Sequence, residues 1–250
     1  MNIFQSMNSY YFSSQLYFLT NKDDYKDQAG FDFWIAIKQN IRQHQNQQQI
    51  TKLEFQTCRL KIDKNLFYET ELSYLTNIEE LAFDATGEII VNERGLFTVG
   101  NTTVIFRNDN DFRLSYGTEI FNTNISKLIF QNLRINDFSS ELFRGLSKAS
   151  DVNITNCHLI RSTDQSNIQI KINSLFINNV TLDHSKSVRP FLRMSGLKVA
   201  KLSNIDWNFE NYFKNRGIIF DKTSKLLVEN STLSRFRAIS GDVKDVSFIR

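Results

Sequence analysis

One short pattern returns along most of this chain, about every 24 residues. In its fullest form it is six residues long, with apolar residues second and fourth and Asn sixth, as in KLIFQN from Lys127 and SLFINN from Ser174. The runs begin at residues 52, 80, 103, 127, 151, 174, 199, 225 and 245. Self-similarity at a period of about 20–50 residues is the signature of a solenoid, in which each repeat packs only against its neighbours.

Apolar and polar residues alternate strictly within each run, which favours a half-buried strand over a helix. We number the positions of a coil from the first residue of its run, so that the apolar residues hold positions two and four. Position four is Phe in the first four coils, and parallel stacking about 4.8 Å apart would place these rings in one aromatic stack. The four rings are Phe55, Phe83, Phe106 and Phe130.

Asn at position six is the most specific part of the repeat. Asn is disfavoured inside strands, and a buried amide without a partner costs about 1–3 kcal/mol. A column of amides that bond one another removes that cost. The alternation therefore predicts an inward-facing structural column of asparagines at Asn108, Asn132, Asn156, Asn179, Asn204 and Asn230.

The pattern apolar-x-apolar-x-Asn-x-x-apolar resembles the repeats of right-handed parallel β-helix proteins of the pectate-lyase type. The resemblance covers residues 50–250 and implies an all-β solenoid of about nine coils, with further strands after each Asn and before each new run. A leucine-rich repeat is the alternative fold, because Ile125, Leu128, Phe130 and Ile135 also fit its consensus. In that consensus, however, the Asn follows the third apolar residue by three positions, whereas here it follows by two.

The two ends of the chain lie outside the regular pattern. Residues 1–30 have no clear period and are expected to be irregular, whereas Phe33, Trp34, Ile37 and Ile41 have helical spacing after Asp32. We predict two parts, an N-terminal segment (1–49) with a helix that caps the first coil, and a β-helix (50–250). Because the last run stops within a strand, we expect the chain to continue or to dock on another chain.

Composition excludes several classes of function. The net charge of +3 is dispersed, so neither a nucleic-acid patch nor a basic cluster of Arg134, Arg144 and Arg161 is expected. No apolar run is long enough to span a membrane, and residues 1–20 are not expected to be a signal peptide, because they lack a basic start and their apolar residues are interrupted by polar ones. Cys58 and Cys157 are expected to be buried free thiols. We expect a cell-surface or secreted location within a longer protein, with a cytoplasmic location as the alternative.

Catalytic signatures are missing from the repeat. Enzymes of the family that the repeat resembles act on acidic polysaccharides, using carboxylates on adjacent outward positions or calcium ligands. At outward positions three and five no such pair or ligand cluster is apparent, and none of the family's catalytic residues has a counterpart here. Asp183-His184-Ser185 is interpreted as a polar turn, and Cys157-His158 lacks further metal ligands. We therefore predict no catalytic, cofactor-binding or metal residues and no cofactor.

Four apolar residues at outward position three are the remaining candidates for function. A turn or the N-terminal segment could cover them, or they could form a docking stripe for a protein partner or a sugar. The sequence thus favours a non-catalytic structural or binding solenoid with a protein or carbohydrate partner, and a polysaccharide lyase or hydrolase with a non-standard site is the alternative. The candidate stripe consists of Ile105, Ile129, Phe176 and Leu227.

Overall fold

A computed structural model describes most of the repeat array and a short N-terminal hairpin. The described residues are 8–12, 15–19, 52–56, 60–62, 79–85, 88–91, 102–114, 125–136, 143, 146, 150–160, 171–182, 192–208, 218–234 and 243–249. They contain nineteen strands. The first nine are β1 (Asn8–Phe12), β2 (Gln15–Leu19), β3 (Lys52–Gln56), β4 (Leu60–Ile62), β5 (Glu80–Asp84), β6 (Glu88–Val91), β7 (Thr102–Leu114), β8 (Ile125–Ile135) and β9 (Asp151–Thr155). The others are β10 (His158–Leu159), β11 (Ser174–Asn178), β12 (Thr181–Leu182), β13 (Leu192–Ser195), β14 (Val199–Ser203), β15 (Asp206–Asn208), β16 (Ile218–Asp221), β17 (Lys225–Glu229), β18 (Thr232–Ser234) and β19 (Asp245–Ile249).

The main sheet stacks nine parallel strands in chain order. β3, β5, β7, β8, β9, β11, β14, β17 and β19 each pair in parallel with the next. The pairing joins equal positions, so that Val152 lies beside Leu128 on one side and Leu175 on the other. The register predicted from the repeat is therefore confirmed along all nine strands.

Further strands follow the corner in the runs of β3 to β17, as the repeat predicted. β8, β10 and β12 align Ile135 with Leu159 and Leu182, and β15 and β18 align Trp207 with Leu233. A third sheet pairs β13 with β16 in parallel. In the part of the chain that the structure describes, the coils are thus closed by strands, which makes the fold an all-β parallel β-solenoid of about four turns and not a leucine-rich repeat.

Position four of the core is aromatic in β5, β7 and β8 and aliphatic from β9 to β17. The Phe83 and Phe106 rings stack with centroids 5.0 Å apart, and the Phe106 and Phe130 rings stack at 5.6 Å. These contacts confirm the predicted stack for three of its four rings, and the side chain of Phe55 lies outside the described residues. Positions two and four are buried from Leu81 through Val228.

The N-terminal end differs from the expected irregular segment. β1 and β2 form an antiparallel hairpin, and β2 pairs in parallel with β3. Leu16 aligns with Leu53 and Phe18 with Phe55, so β2 continues the register of the coils by one strand. The predicted capping helix of residues 32–41 lies outside the described residues.

The strand at the other end of the main sheet is the most exposed. Val246 and Phe248 hold positions two and four of β19, yet 38% and 69% of their surfaces are accessible. These two side chains are therefore much more accessible than those at the same positions of β5 to β17. Among the described residues, no helix combines the length and the apolar character that a bilayer crossing requires.

Candidate functional site

The corner between the main sheet and the second sheet is made by the repeated Asn. All six asparagines at position six have positive φ angles, from 43° at Asn230 to 59° at Asn108. Asn is one of the few residues that tolerate this left-handed conformation, because its short polar side chain can compensate the steric cost. Ala85 adopts the same conformation, with φ of 52°, at the equivalent corner of an earlier coil.

The left-handed residue turns the chain and shifts its inside–outside alternation by one residue. Positions two and four face inward before the corner, whereas positions seven and nine face inward after it, as Cys157 and Leu159 show. Position six itself is exposed in all six coils. The prediction of an inward column is therefore wrong, because alternation was carried past the end of the strand and through the turn.

The six side chains nevertheless form a ladder, on the outside of the solenoid. Asn132 Nδ2 donates to Asn108 Oδ1 at 2.9 Å, and the amides of Asn156 and Asn179 continue the series at 3.2 and 2.9 Å. Asn230 Nδ2 donates to Asn204 Oδ1, but Asn204 Nδ2 donates to Asn178 Oδ1. The ladder consequently consists of two runs, one from Asn108 to Asn179 and one from Asn204 to Asn230. The second run is bonded to Asn178, the position-five neighbour of Asn179.

A carboxylate fixes the direction of the longer run. Asn108 Nδ2 donates to Asp84 Oδ1 at 3.0 Å, and an ionised carboxylate can only accept hydrogen bonds. The Asn108 oxygen must then face the next coil and accept from Asn132, and each later amide is oriented in turn. The backbone bonds run the opposite way, since the Asn156 amide nitrogen donates to the carbonyl of Asn178 in the following coil.

A second outward column lies beside the ladder. In register at position eight, Arg134 pairs with His158 and His158 pairs with Thr181. His158 Nδ1 and Thr181 Oγ1 are 2.7 Å apart and share a hydrogen bond. The ladder and this column together line an open groove of about 600 Å³. Its lining residues are Asn110, Asn132, Leu133, Arg134, Asn156, Cys157, His158, Asn179 and Thr181.

Cys157 lies beneath this groove with its side chain turned inward. It is a free, buried thiol, as predicted, whereas Cys58 lies outside the described residues. Burial raises the pKa of the Cys157 thiol to about 11, although hydrogen bonds with the backbone of Leu133 and Thr155 oppose the shift. A thiol held protonated in this way is a poor nucleophile and a poor metal ligand.

Two carboxylates on adjacent coils bond the same guanidinium, an arrangement that the sequence reasoning missed. Arg107 bonds Glu54 Oε1 through one terminal nitrogen at 2.6 Å and Asp84 Oδ2 through Nε at 2.9 Å. Glu54 is only 1% exposed, although it holds outward position three. The guanidinium therefore binds both carboxylates. Burial, the largest single effect, lowers its pKa, but the charges of Glu54 and Asp84 and the hydrogen bonds to them together outweigh burial and raise the pKa.

The residues of the candidate stripe do not share one environment. Ile105 and Ile129 are stacked neighbours, but Ile105 is only 9% exposed and Ile129 is partly buried. Phe176 is 40% exposed and stands between Asn153 and Lys201 in the register, and Leu227 follows Lys201. The stripe is thus interrupted by polar residues, and its most accessible member is Phe176.

Within the described ranges, no three His, Cys, Asp or Glu side chains come close enough together to hold a metal ion.

Comparison of the chain with models of known protein families finds no match, and neither does comparison with curated proteins or with solved structures.

Proposed function

We propose that this chain is a non-catalytic β-solenoid that serves as a structural and binding module, as part of a larger cell-surface or assembly protein. The proposal includes a right-handed parallel β-helix of the pectate-lyase type with about nine coils. Right-handed crossovers between parallel strands prevail in about 98% of known cases, which supports the handedness. The nine strands in register support the number of coils.

The ion-pair cluster of Glu54, Asp84 and Arg107 is the observation that carries the non-catalytic assignment. A hydrolase needs one carboxyl group to give a proton and another to activate water or attack the sugar. Here both carboxylates bond the same guanidinium, and Glu54 is removed from solvent. A cluster of this kind holds neighbouring coils together, and neither carboxylate is poised to reach a substrate.

The partner is a protein or a carbohydrate, recognised by the outer surface of the coils. Exposed amides, hydroxyls and single charges recur there at the spacing of the strands, which suits an elongated ligand. A polysaccharide-active lyase or hydrolase is the second candidate, because Glu54 and Asp84 lie on adjacent coils and bond the same guanidinium, which brings two carboxyl groups to one place on the solenoid.

Two assays on the same protein test the choice. Affinity electrophoresis in gels that contain acidic or neutral polysaccharides measures binding, and the release of reducing ends or unsaturated products measures cleavage, with and without calcium. We expect slowed migration in at least one gel and no product in any reaction. Product formation that disappears in Asp84→Asn, in a protein that still melts cooperatively, would show that the chain is an enzyme.

A further inference from the structure

The phase shift at the corner brings positions six and eight to the same outer side of the coil. In two coils position eight is Thr, which gives the sequences NVT from Asn179 and NST from Asn230. Asn-x-Ser/Thr is the acceptor motif of N-linked glycosylation, and a bulky glycan requires a surface position. The Asn and the Thr of both motifs are exposed, whereas Val180 between them in the first motif is only 1% exposed. The two residues that define the motif therefore face solvent in both coils.

The ladder uses only one of the two N–H groups on each of these amides. Asn179 Nδ2 donates to Asn156 Oδ1 at 2.9 Å, and Asn230 Nδ2 donates to Asn204 Oδ1 at 2.7 Å. An Asn amide nitrogen carries two N–H groups, so a bond to a sugar in place of one of them leaves the other for the ladder. A glycan can thus be attached at either position without breaking the column of amides.

The backbone also presents both side chains at a turn. β11 ends at Asn178 and β17 ends at Glu229, so each acceptor Asn is the first residue after its strand and has a positive φ angle. Asn179 and Thr181 both line the open groove, which leaves free space above the first motif. Surface turns are the usual environment of modified Asn-x-Ser/Thr motifs.

A third motif, NIT from Asn153, has a different environment. Asn153 lies in the middle of β9 and is half-buried, with Ile129 and Phe176 beside it on the neighbouring strands. A glycan at this position would have to lie across strands on both sides. The corner positions should therefore be modified in preference to the strand position. The motifs that begin at Asn101 and Asn124 lie outside the described residues.

We propose that Asn179 and Asn230 are N-glycosylation sites, for which the second substrate is an oligosaccharide linked to a lipid diphosphate. In the transfer, Nδ2 loses one proton and bonds C1 of the first sugar, while the bond from C1 to the diphosphate breaks and the lipid diphosphate leaves. The two sites lie two coils apart on one corner of the solenoid, about 10 Å along its axis. This inference rests on the cell-surface part of the proposed function, because the transfer takes place in the secretory compartment.

Translation of the full chain behind a secretion leader, in the presence of microsomes, tests the proposal. Only the fraction that is protected from added protease is scored, because this fraction has entered the compartment of the transfer. Peptide-N-glycosidase in heavy-oxygen water converts each glycosylated Asn to a labelled Asp, and mass spectrometry of peptides locates the label. We expect the label at Asn179 and Asn230 in most chains and little label at Asn153.

Threonine variants test the two motifs without removing an amide from the ladder. Thr181→Ala and Thr232→Ala should each remove one glycan, whereas Thr181→Ser preserves the motif and should retain it. Thr155→Ala, the same change in the motif of β9, is the matched control and should remove none. The inference is overturned if protected chains carry no label at positions 179 and 230, or if Asn153 is labelled as fully as these two. Cleavage of a polysaccharide by the glycosylated chain would instead overturn the proposed function and leave both sites in place.

Discussion

The inward column at position four and the corner column at position six recur with the same period, but for different physical reasons. Phe106 and Phe130 recur because each ring is buried against the next, and their exposed surface is 2% and 0%. Asn132 and Asn156 recur because the backbone needs a left-handed residue at the corner, and both are exposed. A regular repeat therefore identifies a structural requirement without revealing whether the side chain faces the core or the solvent.

The largest effect should come from breaking the inward column. Phe106→Ala should lower the free energy of unfolding by about 3–5 kcal/mol, because Phe106 packs against Phe83, Phe112 and Phe130 and a cavity would remain. Phe248→Ala, the same change at position four of the exposed strand β19, should cost less than about 0.5 kcal/mol. Equal losses in chemical denaturation would contradict the difference in burial.

Cys157, the inward residue next to the corner, should make the free energy of unfolding depend on pH in the alkaline range. The pKa of the Cys157 thiol is raised in the folded state to about 11, so its stabilising effect is fully present near neutral pH and is lost as pH rises from the unfolded value through 11. The complete loss corresponds to about 2–3 kcal/mol. Cys157→Ala should remove this part of the pH dependence in denaturation curves between pH 8 and 11. Identical slopes for the two proteins would exclude the effect.

Paired substitutions separate the two roles of the corner Asn. Asn156→Ala should lower the free energy of unfolding by about 2 kcal/mol, because it loses the ladder bonds and places a β-carbon in the left-handed conformation. Asn156→Gly should cost only about 1 kcal/mol, since the conformation remains accessible. Asn153→Ala, at an outward strand position of the same coil, is the control and should change stability by less than about 0.5 kcal/mol. If Asn156→Ala and Asn156→Gly lowered the free energy of unfolding equally, the loss would be due to the ladder bonds alone and not to the left-handed backbone.

The smallest effect should be a gain in stability at the corner that lacks Asn. Ala85 has φ of 52° and carries a β-carbon in a conformation that costs about 1–2 kcal/mol. Ala85→Gly should therefore raise the free energy of unfolding by about 0.5–1 kcal/mol after the entropy cost of glycine is subtracted. Ala200→Gly, in a buried strand, should instead be destabilising. Destabilisation by both changes would show that the corner is not strained.

Much of the fold could be predicted from the sequence because burial and register both leave a period-two signal. The aligned pairs of β3 through β19 match the predicted starts, and the stacked Phe rings follow from position four. The N-terminal hairpin also carried this signal, since Leu16 and Phe18 repeat the apolar spacing of Leu53 and Phe55. It was missed because residues 15–19 lie about 37 residues before the first recognised run, outside the usual period.

The side on which the Asn ladder lies could also have been found, but from the residues that follow it. Apolar residues hold even positions before the corner and odd positions after it, as Leu133 and Ile135 do in their coil. Such a change of phase requires a residue that breaks the alternation, and Asn is among the most tolerant of positive φ. The groove was missed for the same reason, since position eight, which Arg134 and His158 share, faces outward only when the phase shift is counted.

The orientation that Asp84 imposes on the ladder has a consequence for any elongated guest. From Asn108 to Asn179 every amide presents its nitrogen toward the lower-numbered coil, so the row has a head and a tail and is not symmetric under reversal. A chain-like molecule lying along it meets donors and acceptors in a fixed sequence. A molecule bound in the reverse orientation would place its donors and acceptors against the wrong amide atoms. The ladder therefore favours one of the two orientations along the solenoid.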